Sequence, residues 1–274
     1  MTRRTSKSTQ VASGPSEADE PTFSELDGVR YLHFGTPWVQ GGMQINDPPK
    51  LIFDYTQQMM AWLLFLDPPR TPLAIGTLGL GAGALARYCL RYTRSQVRAV
   101  EWNPRVTAAC RAYFKLPPEG PRFSIEHEDA GLWVERPENE GSCRVLMVDL
   151  YDAEARGPVR DSLAFYQACR RVVGGDDEAG MITVNLFGEH ESFKRNFLRM
   201  QEAFRGRVMV LPELDEGNRV VLGFTGPPLE IDSVAFEARA DAVTARYDLP
   251  AQAWARALSG NIFMTSAKKK VLHF

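Results

Sequence analysis

The chain has 274 residues, 44% hydrophobic and 24% charged, with a formal net charge of -2. That is enough for one full α/β domain plus a smaller unit, in the composition of a soluble globular protein. The charge balance excludes a global attraction to nucleic acid or an anionic membrane, and no apolar run approaches the ~20 residues of a membrane span.

In chain order, residues 1–20 are rich in Ser, Thr, Glu and Arg and too poor in apolar side chains to offset the entropy of ordering. They are expected to form a disordered tail. With no hydrophobic segment behind MTRRTSKSTQ, a secretory signal is not expected and the cytoplasm is the default. Residues 21–66 read as a small N-terminal β region and a helix. VRYLHF (29–34) and WVQGGMQI (38–45) have the look of short strands. Residues 51–66 place Ile52, Tyr55, Met59, Trp62, Leu63 and Leu66 on one helical face, ended by Asp67-Pro68-Pro69.

Residues 67–230 alternate strand and helix. The strands are LAIGTLGL (73–80), QVRAVE (96–101), RFSIEHE (122–128), CRVLMVDLY (143–151), GMITVNLF (180–187), GRVMVLPE (206–213) and NRVVLGFT (218–225). Helices are predicted over 83–94, 103–114, 159–173 and 191–204. The last two strands are joined by Leu214-Asp215-Glu216-Gly217, a hairpin signal that puts one antiparallel strand into the sheet. The expected fold is α/β, a doubly wound, mostly parallel seven-stranded sheet with helices on both faces. Residues 231–274 read as one or two helices over 232–258 and a tail, SAKKKVLHF, whose three lysines suit a solvated surface.

A nucleoside cofactor in such a sheet binds at the carboxyl ends of the strands, at the switch point. The first strand must turn sharply beneath the ligand, where side chains would collide with it. Gly79, Gly81 and Gly83 in LGLGAGAL stand between a strand and a helix, as this turn requires; a purely structural tight turn is the competing reading. Glu101, 22 residues after Gly79 and at the end of the next strand, can accept hydrogen bonds from both ribose hydroxyls, against the alternative of a solvated acid at a helix start. The G-x-G-x-G spacing favours S-adenosylmethionine or a relative over a nicotinamide dinucleotide. Asp129, in Glu128-Asp129-Ala130 after the third strand, can accept from an adenine amino group or be an ordinary loop acid. Asp149 and Asp152, with Tyr151 between them, end the fourth strand. Two carboxylates there can hold a cation and draw a proton from an amine. Helix capping competes for Asp152. Tyr151, Tyr166 and Trp38 are aromatics that could face a cationic acceptor or belong to the core.

Taken together, these segments resemble the spermidine synthases and their bacterial aminopropyltransferase relatives. The resemblance runs from about residue 31 to about residue 224: the small β region, WVQGGMQI, DYTQQMMAWLL, the glycine turn, VEWNP, the EDA segment, VDLYDAEARGPV and LAFYQACRRVV follow in order. It implies a methyltransferase-like Rossmann fold and transfer of an aminopropyl group from decarboxylated S-adenosylmethionine to a small-molecule amine such as putrescine. Within it, Gln40 touches the aminopropyl or methionine part, and Gly79, Gly81 and Gly83 cradle the cofactor. Glu101 binds its ribose, and Asp129, with Ala130 beside it, meets its adenine. Asp149 matches the catalytic aspartate, Asp152 a second acid near the polyamine, and Gln57 falls at the amine site. By analogy the assembly admits a homodimer.

Three departures stand. Ala82 occupies the position of an aspartate that binds the aminopropyl nitrogen. The tyrosine expected near Gln57 is replaced by Thr56, with Tyr55 one residue earlier. Leu150-Tyr151-Asp152-Ala153 replaces Ser-Ser-Asp-Pro. Methyl transfer from S-adenosylmethionine itself, or a catalytically silent nucleoside-binding homologue, are the alternatives. No G-x-S-x-G elbow appears. Cys89, Cys110, Cys143 and Cys169 lie far apart, and His33, His127, His190 and His273 are scattered, so no metal site is expected and the thiols read as buried and reduced.

Overall fold

The structure, a computed structural model, describes residues 20–151, 160–176, 178–187, 190–215, 217–259, 262–264 and 270–273. It opens with an antiparallel three-stranded sheet, β1 (Pro21–Leu26), β2 (Val29–Phe34) and β3 (Gly41–Gln44), in the order β1-β2-β3. Asp27 and Gly28, with φ of 50° and 76°, make the tight β1–β2 turn, which needs two left-handed residues to match the strand twist.

The segment predicted as one helix is broken. It is a short α1 (Asp54–Gln58) followed by a 3₁₀ turn over Ala61–Leu64. The Met59 carbonyl is taken by the Thr183 hydroxyl at 3.0 Å, and Leu63 N bonds to Met60 O instead. Met59, Met60, Ala61, Trp62 and Leu63 are all fully buried, so the segment has no solvent face for an amphipathic period to describe.

The main sheet holds β4 (Ala74–Leu78), β5 (Gln96–Val100), β6 (Phe123–Glu126), β7 (Cys143–Val148), β8 (Met181–Leu186), β9 (Val208–Val210) and β10 (Arg219–Phe224). Their order is β6-β5-β4-β7-β8-β10-β9. Pairing is parallel from β6 through β8, and β10 runs antiparallel to both its neighbours. This is the expected seven-stranded sheet, with the hairpin supplying its single reversed strand.

Helices α2 (Ala84–Tyr92), α3 (Pro104–Tyr113), α4 (Ala130–Glu135), α5 (Leu163–Val172) and α6 (His190–Ala203) cover it. Alternate strand residues feed two cores. Ile75, Val97, Val145 and Leu222 pack with Leu85, Cys110 and Trp62. Leu78, Val100, Leu146 and Val184 pack with Trp133, Tyr166 and Met200 on the other face. Helix α5 starts four residues later than predicted, because the Ser162 hydroxyl caps it by accepting from Phe165 N at 3.1 Å.

Two C-terminal helices, α7 (Ser233–Tyr247) and α8 (Ala251–Leu258), are separated by Asp248 in the left-handed conformation. From α7, Arg239 bonds the Leu63 and Leu66 carbonyls at 2.8 Å each and pairs with Asp67 at 2.7 Å. It thereby closes the end of the 3₁₀ segment. β11 (Glu230–Asp232), β12 (Ile262–Met264) and β13 (Lys270–His273) form a third sheet, ordered β11-β13-β12, and Lys268 and Lys269 of the tail lie outside the described residues. All four cysteines are buried and free, and no helix among the described residues is long and apolar enough to cross a membrane.

Candidate active site

The chain leaves β4 toward β5 and β6, then returns to place β7 on the other side of β4. The carboxyl ends of β4, β5, β6 and β7 therefore bring Gly79, Glu101, Asp129 and Asp149 to one edge of the sheet, at its switch point.

Gly79, Gly81 and Gly83 all have positive φ, at 90°, 49° and 74°. At Gly79 the need is also steric, since a Cβ there would collide with the Asp149 carbonyl oxygen. The turn lies under the small sheet: a Cβ at Gly81 would stand 3.1 Å from the Gln40 carbonyl, and one at Gly41 only 2.8 Å from both the Ala82 Cβ and N. The Gln40 main chain is thus beside the turn. Behind it, the buried Arg87 guanidinium bonds the Ala82 carbonyl, Pro48 O at 2.9 Å and Phe114 O at 2.9 Å. Burial lowers its pKa to about 10, so it remains a cation that staples the turn to the β3–α1 loop and the end of α3.

Glu101 is only 6% exposed, which excludes the solvated alternative. Its Oε2 accepts from Leu80 N at 3.1 Å, within the turn, and its Oε1 from Asn103 N at 2.9 Å. The cap of α3 is Asn103, whose Oδ1 accepts from Arg105 N at 3.0 Å, so Glu101 is not occupied by capping. Burial raises its pKa to about 7 against the pull of the main-chain donors. A carboxylate so held keeps lone pairs for further donors.

Asp129 has a structural task. Its Oδ1 caps α4 by accepting from Gly131 N at 2.9 Å and Leu132 N at 3.2 Å, and Oδ2 pairs with Arg160. Ala130 follows as a buried first residue of α4.

Asp149 stands half-buried just after β7. Asn185 Nδ2 donates to its Oδ1 at 3.0 Å, and the Tyr55 hydroxyl donates to it from α1. Burial raises the Asp149 pKa, partly offset by these two donors, and the same environment pushes Tyr55 well above the ordinary phenol value. Tyr151 commits its hydroxyl to the β8 end, donating to Asn185 O at 2.9 Å and accepting from Phe187 N at 2.5 Å. Gln57 donates to Leu51 O at 3.1 Å. Tyr166 is core, with its hydroxyl on Asn196 at 3.0 Å, while Trp38 is 54% exposed. Asp152 lies outside the described residues.

Sequence reasoning misses the engagement of Tyr55 and Asn185. Tyr55 belongs to the predicted buried helix face; in the structure it reaches Asp149, while the Thr56 hydroxyl closes on Phe53 O at 2.6 Å. Asn185 is a polar residue inside the apolar run MITVNL, and that is the available signal.

No family model matches the chain. A polyamine aminopropyltransferase of Chromobacterium violaceum is 32% identical over 231 residues, 84% of this chain and 85% of that protein. The chain belongs to the polyamine aminopropyltransferase family. Membership makes it a transferase. The fold agrees: a probable spermidine synthase from Corynebacterium glutamicum superposes with a TM-score of 0.66 at 20% identity, over 92% of this chain and 86% of that one. Human methyltransferase-like protein 13, in complex with SAH, gives 0.61 at 18% identity over 72% and 94%. The aminopropyltransferase resemblance places an aspartate at position 82. Here the apolar Ala82 is 2% exposed and packs against Gly41.

Proposed function

We propose that this chain moves an aminopropyl group from decarboxylated S-adenosylmethionine to an amine such as putrescine, with Asp149 receiving the amine proton. The observation that carries the reading is the half-buried Asp149, whose main-chain carbonyl packs on Gly79 of the glycine turn and whose carboxylate is bonded by Tyr55 and Asn185. Its raised pKa suits a base that must take up a proton.

The amine lone pair attacks the carbon next to the sulfonium. The carbon–nitrogen bond forms as the carbon–sulfur bond breaks, the electron pair going to sulfur to leave a neutral thioether nucleoside. The nitrogen proton passes to Asp149. Alignment of amine, carbon and sulfur supplies much of the acceleration. Glu101 is assigned to the ribose hydroxyls. Asp129, with one lone pair left after its cap and ion pair, is assigned with Ala130 to the adenine, and Gln40 to the cofactor tail. Tyr151 and Asp152 are assigned to the amine side, which Gln57 lines with its amide held by Leu51 O and not by the amine.

Methyl transfer from S-adenosylmethionine is the second reading, favoured by Ala82, which offers no charge to an aminopropyl nitrogen. Pure protein incubated with putrescine and each nucleoside in turn, followed by mass spectrometry, separates the two. An aminopropyl mass gain with the decarboxylated donor is expected. A methyl gain with S-adenosylmethionine establishes the second reading, and no gain with either defeats both for this acceptor.

A further inference from the structure

The groups behind Asp149 form a directed chain that the transfer step alone does not call for. Asn218 Nδ2 donates to Asn185 Oδ1 at 2.9 Å, and Asn185 Nδ2 donates to Asp149 Oδ1 at 3.0 Å. Both asparagines are buried, at 4% and 7% exposed for Asn185 and Asn218. They reach one another because β8 and β10 are antiparallel neighbours: Asn185 stands opposite Val220, and Asn218 lies two residues before Val220 on the same face.

An asparagine amide has one accepting and one donating end, and its partners decide which end goes where. A carboxylate can only accept. With Asp149 ionised, Asn185 turns its NH2 toward it, which leaves the Asn185 oxygen to be met by the NH2 of Asn218. The polarity runs one way, from the start of β10 through β8 to β7. The Asn185 main chain is itself clamped, with the Tyr151 hydroxyl bridging Asn185 O and Phe187 N. Among the described residues, Tyr55 from α1 and Tyr151 are the titratable groups that sense the Asp149 charge.

We propose that Asn185 and Asn218 are positioning residues, a one-way amide relay that fixes the Asp149 carboxylate so that its remaining lone pairs face the attacking amine. The proposal rests on Asp149 being the group that takes the proton. It predicts that the direction of the hydrogen bonds matters, not merely the filling of space.

The test compares Asn218→Ala, Asn218→Asp and Asp149→Asn in the full chain, reading kcat, KM for each substrate and the pH profile. In N218D the introduced carboxylate keeps the shape of the amide but has no donor when ionised. It draws the Asn185 NH2 to itself and turns the Asn185 oxygen onto Asp149. The expected result is a kcat loss of about tenfold or more for N218D, on the scale of a hydrogen bond to a charged group. N218A should lose less, and KM for the nucleoside should hold in both. The acid limb of the pH profile should move upward, because a carboxylate that loses a donor holds its proton more tightly. Equal rates for N218A and N218D, with D149N inactive, overturn the relay while leaving the role of Asp149 intact. Full turnover by D149N overturns that role and the relay with it. If N218D does not fold, N218A decides: lost kcat with a displaced acid limb supports the relay, and an unmoved limb overturns it.

Discussion

The two halves of the site are built by different means. The half proposed for the nucleoside, around β4 and β5, rests on main chain: three glycines with positive φ, amides of Leu80 and Asn103 on Glu101, and carbonyls of Ala82, Pro48 and Phe114 on Arg87. The half proposed for the acceptor, around β7 and β8, rests on side chains from separate segments, with Tyr55 and Asn185 on Asp149 and Asn218 behind Asn185. A main-chain cradle tolerates change in neighbouring side chains. A side-chain cluster in a buried setting is lost one polar atom at a time, and each loss leaves an unsatisfied partner. The departures from the family pattern fit this contrast, since the glycines and Glu101 are kept while the loop after Asp149 is rewritten.

The largest expected effect tests whether the halves are separable. Asp149→Asn should cut transfer by roughly 10²–10⁴-fold, the usual contribution of a positioned acid or base. Nucleoside binding, read by calorimetry, should stay nearly unchanged; equal loss of both would erase the distinction. Glu101→Gln should do the reverse, weakening nucleoside binding by about one to two powers of ten, as for a hydrogen bond to a charged group. At saturating nucleoside its turnover should change little.

Glu101 also carries a pH signature. Its folded pKa is raised to about 7 from an ordinary 4.5. In ligand-free protein the stability this group contributes is complete below the ordinary value and is lost as pH rises through about 7, because the folded state holds the proton longer than the unfolded chain. Nucleoside affinity should run the opposite way, falling as pH drops below about 7, since the ionised carboxylate accepts both hydroxyls. Melting curves and binding isotherms on either side of that value check both slopes, and Glu101→Gln should flatten them. The smallest effect is expected at Gln57. Its amide is engaged by Leu51 O, so Gln57→Ala should change the KM for the amine by less than about threefold, a surface-scale effect. A large rise would place that side chain against the amine after all.

Legibility in the sequence follows the same division. The seven strands, the reversed β10 and the glycine turn are readable because each depends on a local pattern of apolar residues, glycines and turn residues. Glu101 is readable from its register after Gly79. Residues 51–66 mislead because burial on every side removes the solvent face that gives a helix its period, and because Thr183, 124 residues away, captures the Met59 carbonyl. Tyr55 and Asn218 are invisible as site residues for a related reason: each meets its partner through the tertiary fold, and nothing near it in sequence announces the partner. Asp129 is found in the right place, but its cap and its pairing with Arg160 depend on a helix start and a side chain 31 residues on. The strands β11, β12 and β13 are three or four residues long, too short to carry an alternation signal.

At Gly41 the absence of a side chain decides more than local geometry. The Ala82 Cβ and N occupy the space a Cβ there would need, so strand and turn meet backbone to backbone. The N-terminal sheet is therefore not an appendage that can drift with its own loops. It is a roof beam over the proposed nucleoside floor, and Gly41 is where beam and floor touch most closely. A replacement at position 41 would leave every recognisable motif intact, yet it would be scored in an assay as a defect in capturing the donor.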